Sequence, residues 1–408
     1  MKKIAVIGFG VVGGGVVSLT DENPAMIRAA AGDHVYVKYI LDLRDFPDSP
    51  YADRVIHDVN IIMNDPEIEL VVETMGGVNP ALAFSTAALK AGKHVVTSNK
   101  ELVAKHGEEL MRLADENGVA YLYEASVGGG IPLIRSIRTS LASDIVTAVR
   151  GILNGTTNYI LTRMRDGGIS FEEALAEAQQ LGYAEKDPSA DIHGFDAQRK
   201  IMILTAVATG VIVNEADVYT ETMSKLTTKD IDAAKRLGGA VRLIGSFVRE
   251  GNGVSVSVCP RIVDGKNPLA HIDDVYNGVS AVTSLTGDVL YYGRGAGRYP
   301  TAGAVISDIT AALSGAYKTE ANRTWEKAPA GFVRPFAESK NRMYIRVADA
   351  SVQEVMDAAR LLFGDVTEFA DTPAGVAEFV TPSLTEAAAA KAIASLPGTV
   401  ESVLRLLD

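Results

Sequence analysis

Cysteine is all but absent from this 408-residue chain. The single thiol, Cys259, has no partner for an internal disulfide and no second thiolate for a metal cage, and its place in the apolar stretch 254–259 marks it as core filler in a strand. The six histidines show no ligand spacing, and His193 reads as polar packing. Long hydrophobic runs are missing as well. Stretches such as 201–213 are broken by Thr and Gly and fall short of bilayer length, so no membrane span is expected. Lys2 and Lys3 precede only a short apolar run that ends in glycines without a small-residue cleavage site, so no signal peptide is expected and the cytoplasm is the default compartment. Basic charge is in deficit: 39 Lys and Arg against 51 Asp and Glu leave a net charge of −12. With no basic face, a nucleic-acid partner is not expected, although a local basic pocket for a phosphate-bearing cofactor stays open. No internal repeat or low-complexity tract is present.

What is present is a compact composition, 47% hydrophobic and 22% charged, in a chain long enough for two or three domains. Apolar periodicity predicts strands at 3–7, 35–41, 69–73, 94–97 and 119–123, alternating with helices at 11–30, 80–91 and 101–117. This β-α-β order implies a mostly parallel sheet covered by helices, an α/β Rossmann domain over 1–128, completed by a returning helix near 300–318. Beyond Gly128 the texture changes. Helices at 171–181 and 191–211, then strands at 240–249 and 254–259, indicate an α+β catalytic and oligomerisation domain over 129–325. Glycine-rich 292–297 leads into a helix over 301–315, and the Pro- and charge-rich stretch 327–340 reads as a linker. Residues 340–408 then form a small C-terminal module of strands and helices.

The segment Gly8-Phe9-Gly10-Val11-Val12-Gly13 completes G-x-G-x-x-G between a predicted strand and a predicted helix. Gly8 serves the tight turn, Gly10 lets backbone approach a pyrophosphate, and Gly13 permits close helix packing, while the helix N-terminus supplies amides and positive dipole. At the end of the second strand, Asp42 would accept from a ribose 2′-hydroxyl whereas Arg44 would favour a 2′-phosphate. Both are present, so NAD and NADP stay unseparated. Thr74 and Ser98 follow strand ends where they can touch the cofactor, and Gly303 lies in the helix expected to return beneath it. Lys100 follows a strand end as well, at a helix start that ordinarily disfavours cations. Farther along, 182–196 gathers carboxylates into a loop before a helix, where Asp196 and Lys200 stand i,i+4. An exposed pair of this kind contributes only about 0.2–0.5 kcal/mol. The same stripe continues through Ile203, Leu204 and Val207, which predicts a buried helix, and a buried lysine held by a carboxylate is a proton donor suited to carbonyl reduction.

Beside the glycine motif stand Thr97-x-Asn99-Lys100, Glu124-Ala125-x-Val127-Gly128-Gly129-Gly130-Ile131-Pro132, the run 151–159 (GILNGTTNY) and the block 182–200, in that order. In these motifs and over nearly its full length the chain resembles homoserine dehydrogenase. The resemblance implies NAD(P)-dependent interconversion of L-homoserine and L-aspartate 4-semialdehyde on the route to threonine and methionine. It implies Lys200 as proton donor, Asp196 as its orienter and Lys100 beside nicotinamide and substrate. It further implies Glu185 on the substrate amino group with Asp191, a pocket lined by Tyr183, Gly155 and Thr156, and a homodimer or homotetramer. A monovalent cation, sodium, would be held by the Glu124 side chain and the carbonyls of Val127, Gly129 and Ile131; hard cations suit such oxygen donors. Longer members of the family end in an ACT-type βαββαβ module, often with an Asp-x-Pro-Gly-Val turn. Here 348–352 reads ADASV, without Pro or Gly, which argues against threonine feedback and for assembly or packing. The Asp42 region also departs from the family, which often carries a basic residue at that strand end. Two other readings are a non-catalytic nicotinamide-sensing regulator and another Rossmann oxidoreductase of amino-acid-derived carbonyls. The first needs no Asp-Lys pair beside a carboxylate-rich loop, and a DNA-reading version would need a basic helix-turn-helix, which is not found.

Overall fold

The computed structural model describes residues 1–320, 324–369 and 372–407. The chain forms two compact units, one of Met1–Val149, Arg199–Glu215 and Tyr276–Ala328, the other of Arg150–Gln198, Ala216–Val275 and Pro329–Asp408.

In the first unit six parallel strands lie in the spatial order Val55–Ile56, Val35–Leu41, Lys2–Ile7, Ile68–Glu73, His94–Thr97, Tyr121–Leu122. Numbered along the chain this is 3-2-1-4-5-6, the doubly wound order, in which strand direction of travel reverses beside Lys2–Ile7 and opens a ligand crevice at the carboxyl ends. The strands are apolar runs because helices cover the sheet: Ile4, Val6, Val37, Leu70, Val72 and Val96 share one core with Val16 and Val17 of the helix Val11–Glu22 and Val305 and Ile309 of the helix Arg298–Ser314. These two helices approach closely at Gly15, where an added Cβ would come within 3.0 Å of the Ala302 Cβ. A hairpin, Tyr276–Thr283 with Asp288–Arg294, completes this unit.

Two expected helices are divided. The stretch 11–30 becomes Val11–Glu22 and Pro24–Ala31, because Pro24 has no N–H to continue the ladder and displaces Asn23 from helical geometry, to φ −122° and ψ 44°. The stretch 191–211 becomes Ser189–Ile192 and Phe195–Thr209, interrupted at Gly194, whose φ of +80° is left-handed.

In the second unit the 12-residue strands Gly239–Glu250 and Gly253–Asp264 pair antiparallel along their whole length, and Cys259 lies fully buried in the second. Thr399–Leu407 runs parallel to Gly253–Asp264 and is followed across the sheet by Met343–Ala348, Ala377–Val380 and Thr367–Glu368. With the helices Val352–Phe363 and Glu386–Ile393, the order from Met343 onward is strand, helix, strand, strand, strand, helix, strand, the third of these consecutive strands being the short Leu384–Thr385, which pairs with Lys340–Asn341. Its core joins Ile345, Val355, Phe363, Phe379 and Ala389. The turn at 348–352, lacking glycine, is made by Asp349 at φ +60°, after which Ser351 caps the following helix at the Glu354 amide. Among the described residues no helix is long and apolar enough to cross a membrane.

Candidate active site

The glycine turn is shaped by contacts that admit no side chain. Gly8 has φ +92°, and a Cβ on Gly13 would lie 1.9 Å from the Gly8 carbonyl oxygen. The Thr74 hydroxyl holds the turn from beneath, 3.0 Å from the Ile7 carbonyl and 2.9 Å from that of Gly8. Gly10 differs: a Cβ there would meet nothing within 4 Å. Gly10 is the N-cap of the helix Val11–Glu22 and offers no side-chain cap, so the first-turn amides face open space, and Val11 is 67% exposed. Uncapped amides, a positive helix end and free volume fit a dinucleotide pyrophosphate.

Asp42 is spent on this turn. Its carboxylate accepts the Phe9 amide at 2.8 Å, the Arg44 amide at 3.0 Å and the Arg44 guanidinium at 3.0 and 3.1 Å. The guanidinium, aided by the two amides, pulls the Asp42 carboxyl down to about 2. Arg44 remains 64% exposed. Beside it, His57 Nδ1 lies 2.7 Å from the Asp42 carbonyl and Nε2 3.0 Å from Asp45, and these oxygens raise the imidazole pKa, the carbonyl most. Gly8, Asp42, Arg44 and His57 line a cavity of about 480 Å³ with Met75 and Phe84. A cleft with apolar walls and the Arg44 guanidinium in its lining suits the nucleoside end of the cofactor.

At the neighbouring strand ends a relay of side chains sets the entry to the helix Lys100–Glu116. Buried Glu73 accepts the Met75 amide at 2.7 Å and the Thr97 hydroxyl at 2.5 Å; Thr97 in turn accepts the Asn99 amide at 2.9 Å. Asn99 caps the helix at the Leu102 amide and donates to the Gly77 carbonyl at 2.6 Å. Burial pushes Glu73 up to about 7 against these hydrogen bonds. Lys100 is the first residue of the helix and half-buried, as is Ser98, whose amide donates to the Glu73 carbonyl at 3.3 Å.

Glu124 is buried and anchors the next turn. One carboxylate oxygen accepts the amides of Leu133 and Ile134 at 2.7 and 2.9 Å, and the other that of Arg135 at 2.7 Å. Three amides therefore already occupy this side chain. The loop behind it winds through Gly128 and Gly129, both at positive φ, and among the described residues no hydrogen bond is directed at the carbonyls of Val127, Gly129 or Ile131. Buried carbonyls without donors fit an oxygen-seeking cation, with the Glu124 carboxylate shaping the loop more than completing a shell. Gly303 is exposed and lines a cavity of about 740 Å³ with Glu124, Arg135 and Tyr299, apart from the cavity that contains Gly8 and Asp42.

In the second unit Asn154 ends one segment and starts the helix Gly155–Gly167, capping it through Oδ1 at the Thr157 amide, 2.8 Å away. That cap leaves the Asn154 amide nitrogen free to donate to Asp191 at 2.7 Å and to Asp196 at 2.9 Å. Two carboxylates 5 residues apart in sequence are thereby held on one amide. The Thr156 hydroxyl donates to the Tyr183 carbonyl at 2.6 Å, and Tyr183 packs its ring edge-on to Tyr159. Gly155 is required to be small: a Cβ would come 2.7 Å from the Val275 carbonyl. Glu185 and Tyr183 are exposed. The helix Phe195–Thr209 begins in this unit and continues from Arg199 in the first; on it Asp196 and Lys200 stand one turn apart, 5% and 8% exposed. Three residues that sequence reading did not single out thus organise the site: Asn154, Glu73 and His57. Only Asn154 left a signal, an N-cap residue followed by Gly-Thr-Thr.

Comparison with known proteins finds homoserine dehydrogenases. Residues 8–124 match the family model described as homoserine dehydrogenase, NAD binding domain, and residues 132–310 match that of homoserine dehydrogenase. The homoserine dehydrogenase of Bacillus subtilis is 38% identical over 314 residues, 76% of this chain and 72% of that protein. The crystal structure of a homoserine dehydrogenase from Thiobacillus denitrificans superposes with a TM-score of 0.91 at 33% identity, over 100% of this chain and 98% of that one. A hyperthermophilic archaeal homoserine dehydrogenase in complex with NADPH superposes with a TM-score of 0.65 at 27% identity, over 76% of this chain and 97% of that one.

Proposed function

The chain belongs to the homoserine dehydrogenase family of oxidoreductases, and from that premise we propose that it interconverts L-homoserine and L-aspartate 4-semialdehyde. The observation that carries this reading is the buried Asp196 and Lys200 on one helix, with Asp196 tethered to Asp191 through Asn154. Bound at the glycine turn, a nicotinamide cofactor would supply or accept the hydride. In the reducing direction Lys200 gives its proton to the aldehyde oxygen, yielding the alcohol, and Asp196 orients it. Lys100 lies beside the reacting groups, Glu185 and Asp191 take the substrate ammonium, and Tyr183, Gly155 and Thr156 line the pocket.

Gly8, Phe9, Gly10, Val11, Val12 and Gly13 receive the pyrophosphate, supported by Thr74 and Ser98. Of the two cofactors the site favours NADP. The Asp42 acceptors are filled, whereas Arg44, exposed beside them, offers its guanidinium to a 2′-phosphate. A sodium ion would sit on the carbonyls of Val127, Gly129 and Ile131 and order the loop around Glu124. Residues 1–128, completed by the helix near 300–318, serve the cofactor, 129–325 serve substrate and assembly, and 340–408 form an ACT-like module used for assembly of a homodimer or homotetramer in the cytoplasm. The test is a set of initial rates for L-homoserine oxidation with NAD and with NADP, each with and without added L-threonine. Turnover with a preference for NADP and no response to threonine is expected; absence of turnover with either cofactor rejects the assignment.

A further inference from the structure

A second polar cavity, of about 370 Å³, lies within the second unit, lined by the strands Gly239–Glu250 and Gly253–Asp264 together with residues that precede and end the C-terminal module. Its size is that of a small-ligand pocket. Ser246, Ser255 and Ser257 line it, and Ser246 and Ser257 are paired directly across the two strands. Each of these serines is more than nine-tenths buried, at 6%, 8% and 4% exposure, yet among the described residues none of their hydroxyls has a hydrogen-bond partner. Hydroxyls that line a cavity and have no acceptor within the protein are placed to donate to an occupant.

The charge around them is mostly positive. Arg150, Arg261, Lys340 and Arg342 line the cavity, against the single carboxylate of Glu250. Arg261 is 7% exposed; one terminal nitrogen donates to the Asn341 side chain at 2.8 Å, while its Nε has no partner. Three hydroxyl donors and the partnerless Nε of buried Arg261 suit an acceptor-rich anion of small size. We propose that this cavity binds a compact dianion, a phosphate monoester or a dicarboxylic acid, at a site separate from the residues assigned to cofactor and substrate. Guanidinium and ammonium groups take the charge and the serines fill the remaining acceptor positions.

The test is calorimetric titration of the full chain, saturated with NADPH to occupy the phosphate turn, with inorganic phosphate and separately with succinate. Saturable binding of one equivalent per chain is expected. Phosphate binding alone identifies the ester class, succinate binding alone the dicarboxylate class, and binding of both a site selective for charge only. Lys340→Glu and the double variant Ser255→Ala/Ser257→Ala should each weaken binding roughly tenfold or more, with ligand-free melting temperature and L-homoserine turnover unchanged. Two results overturn the site: neither probe binds, or binding survives undiminished in both variants.

Discussion

The two units build recognition from different materials. In the first, the phosphate turn is backbone: Gly8, Gly10 and Gly13 contribute the absence of side chains, and the nearest polar groups, Thr74 and Asp42, are spent holding the turn. In the second, everything rests on side chains, with Asn154 gathering Asp191 and Asp196 from separate stretches of chain. A backbone site tolerates changes around it provided the glycines remain, whereas a side-chain site depends on each partner keeping its place. In the proposed function the first arrangement takes the dinucleotide and leaves the reaction undetermined, and the second carries the choice of reaction.

Substitutions should separate the two, beginning with the largest effect. Lys200→Ala removes the proposed proton donor and is expected to lower kcat by about 10²–10⁴-fold in steady-state assays. Gly13→Val drives a side chain into the Gly8 carbonyl, an overpacking that costs about 1–3 kcal/mol or more, and direct titration should show NADPH binding lost. Asn154→Ala removes the amide that both aspartates share and a helix cap worth about 1 kcal/mol; kcat should fall about 10–100-fold, in the range seen when an orienting partner is removed, while NADPH affinity is retained. If Asn154→Ala lost cofactor affinity instead, the separation between the units would be broken. Arg44→Ala should weaken NADPH roughly tenfold and leave NADH nearly unchanged, since it deletes one charge-assisted contact.

Glu73→Gln should alter activity least and pH dependence most. The carboxyl of Glu73 is raised from 4.5 to about 7 in the folded chain, so the folded state holds the proton more tightly than the unfolded state. Its contribution to stability is full below pH 4.5 and is lost as pH rises to about 7, by up to about 3 kcal/mol. Melting temperatures taken between pH 5 and 8 should fall in the parent and stay flatter in Glu73→Gln. Equal slopes would remove Glu73 from the account.

The doubly wound half was legible because a parallel sheet covered on both faces writes its strands as apolar runs and because the glycine motif names its own backbone geometry. Where reading failed, the cause was local. Val55–Ile56 is two residues long, and Asp288–Arg294 alternates half-exposed and exposed residues. Asn23 and Gly194 each divide a continuous apolar stripe, through the demands of a following proline and of a left-handed turn. Asp196 and Lys200 could be paired by spacing on one helix. Asn154 could not be linked to Asp191 and Asp196, because nothing in sequence spacing shows that an N-cap amide has its nitrogen aimed at two carboxylates. Glu73 reads as one more strand residue until its burial is known, and His57 sits in a polar stretch with no period to mark it.

The most direct measurement follows deuterium placed on the carbinol carbon of L-homoserine in the presence of NADP, with the parent chain and with Lys200→Ala. Transfer of the label to the reduced nicotinamide by the parent, and little transfer by a Lys200→Ala protein that binds NADPH with unchanged Kd, is the predicted outcome. No labelled reduced nicotinamide from the parent, or transfer at the parent rate by Lys200→Ala, would contradict it.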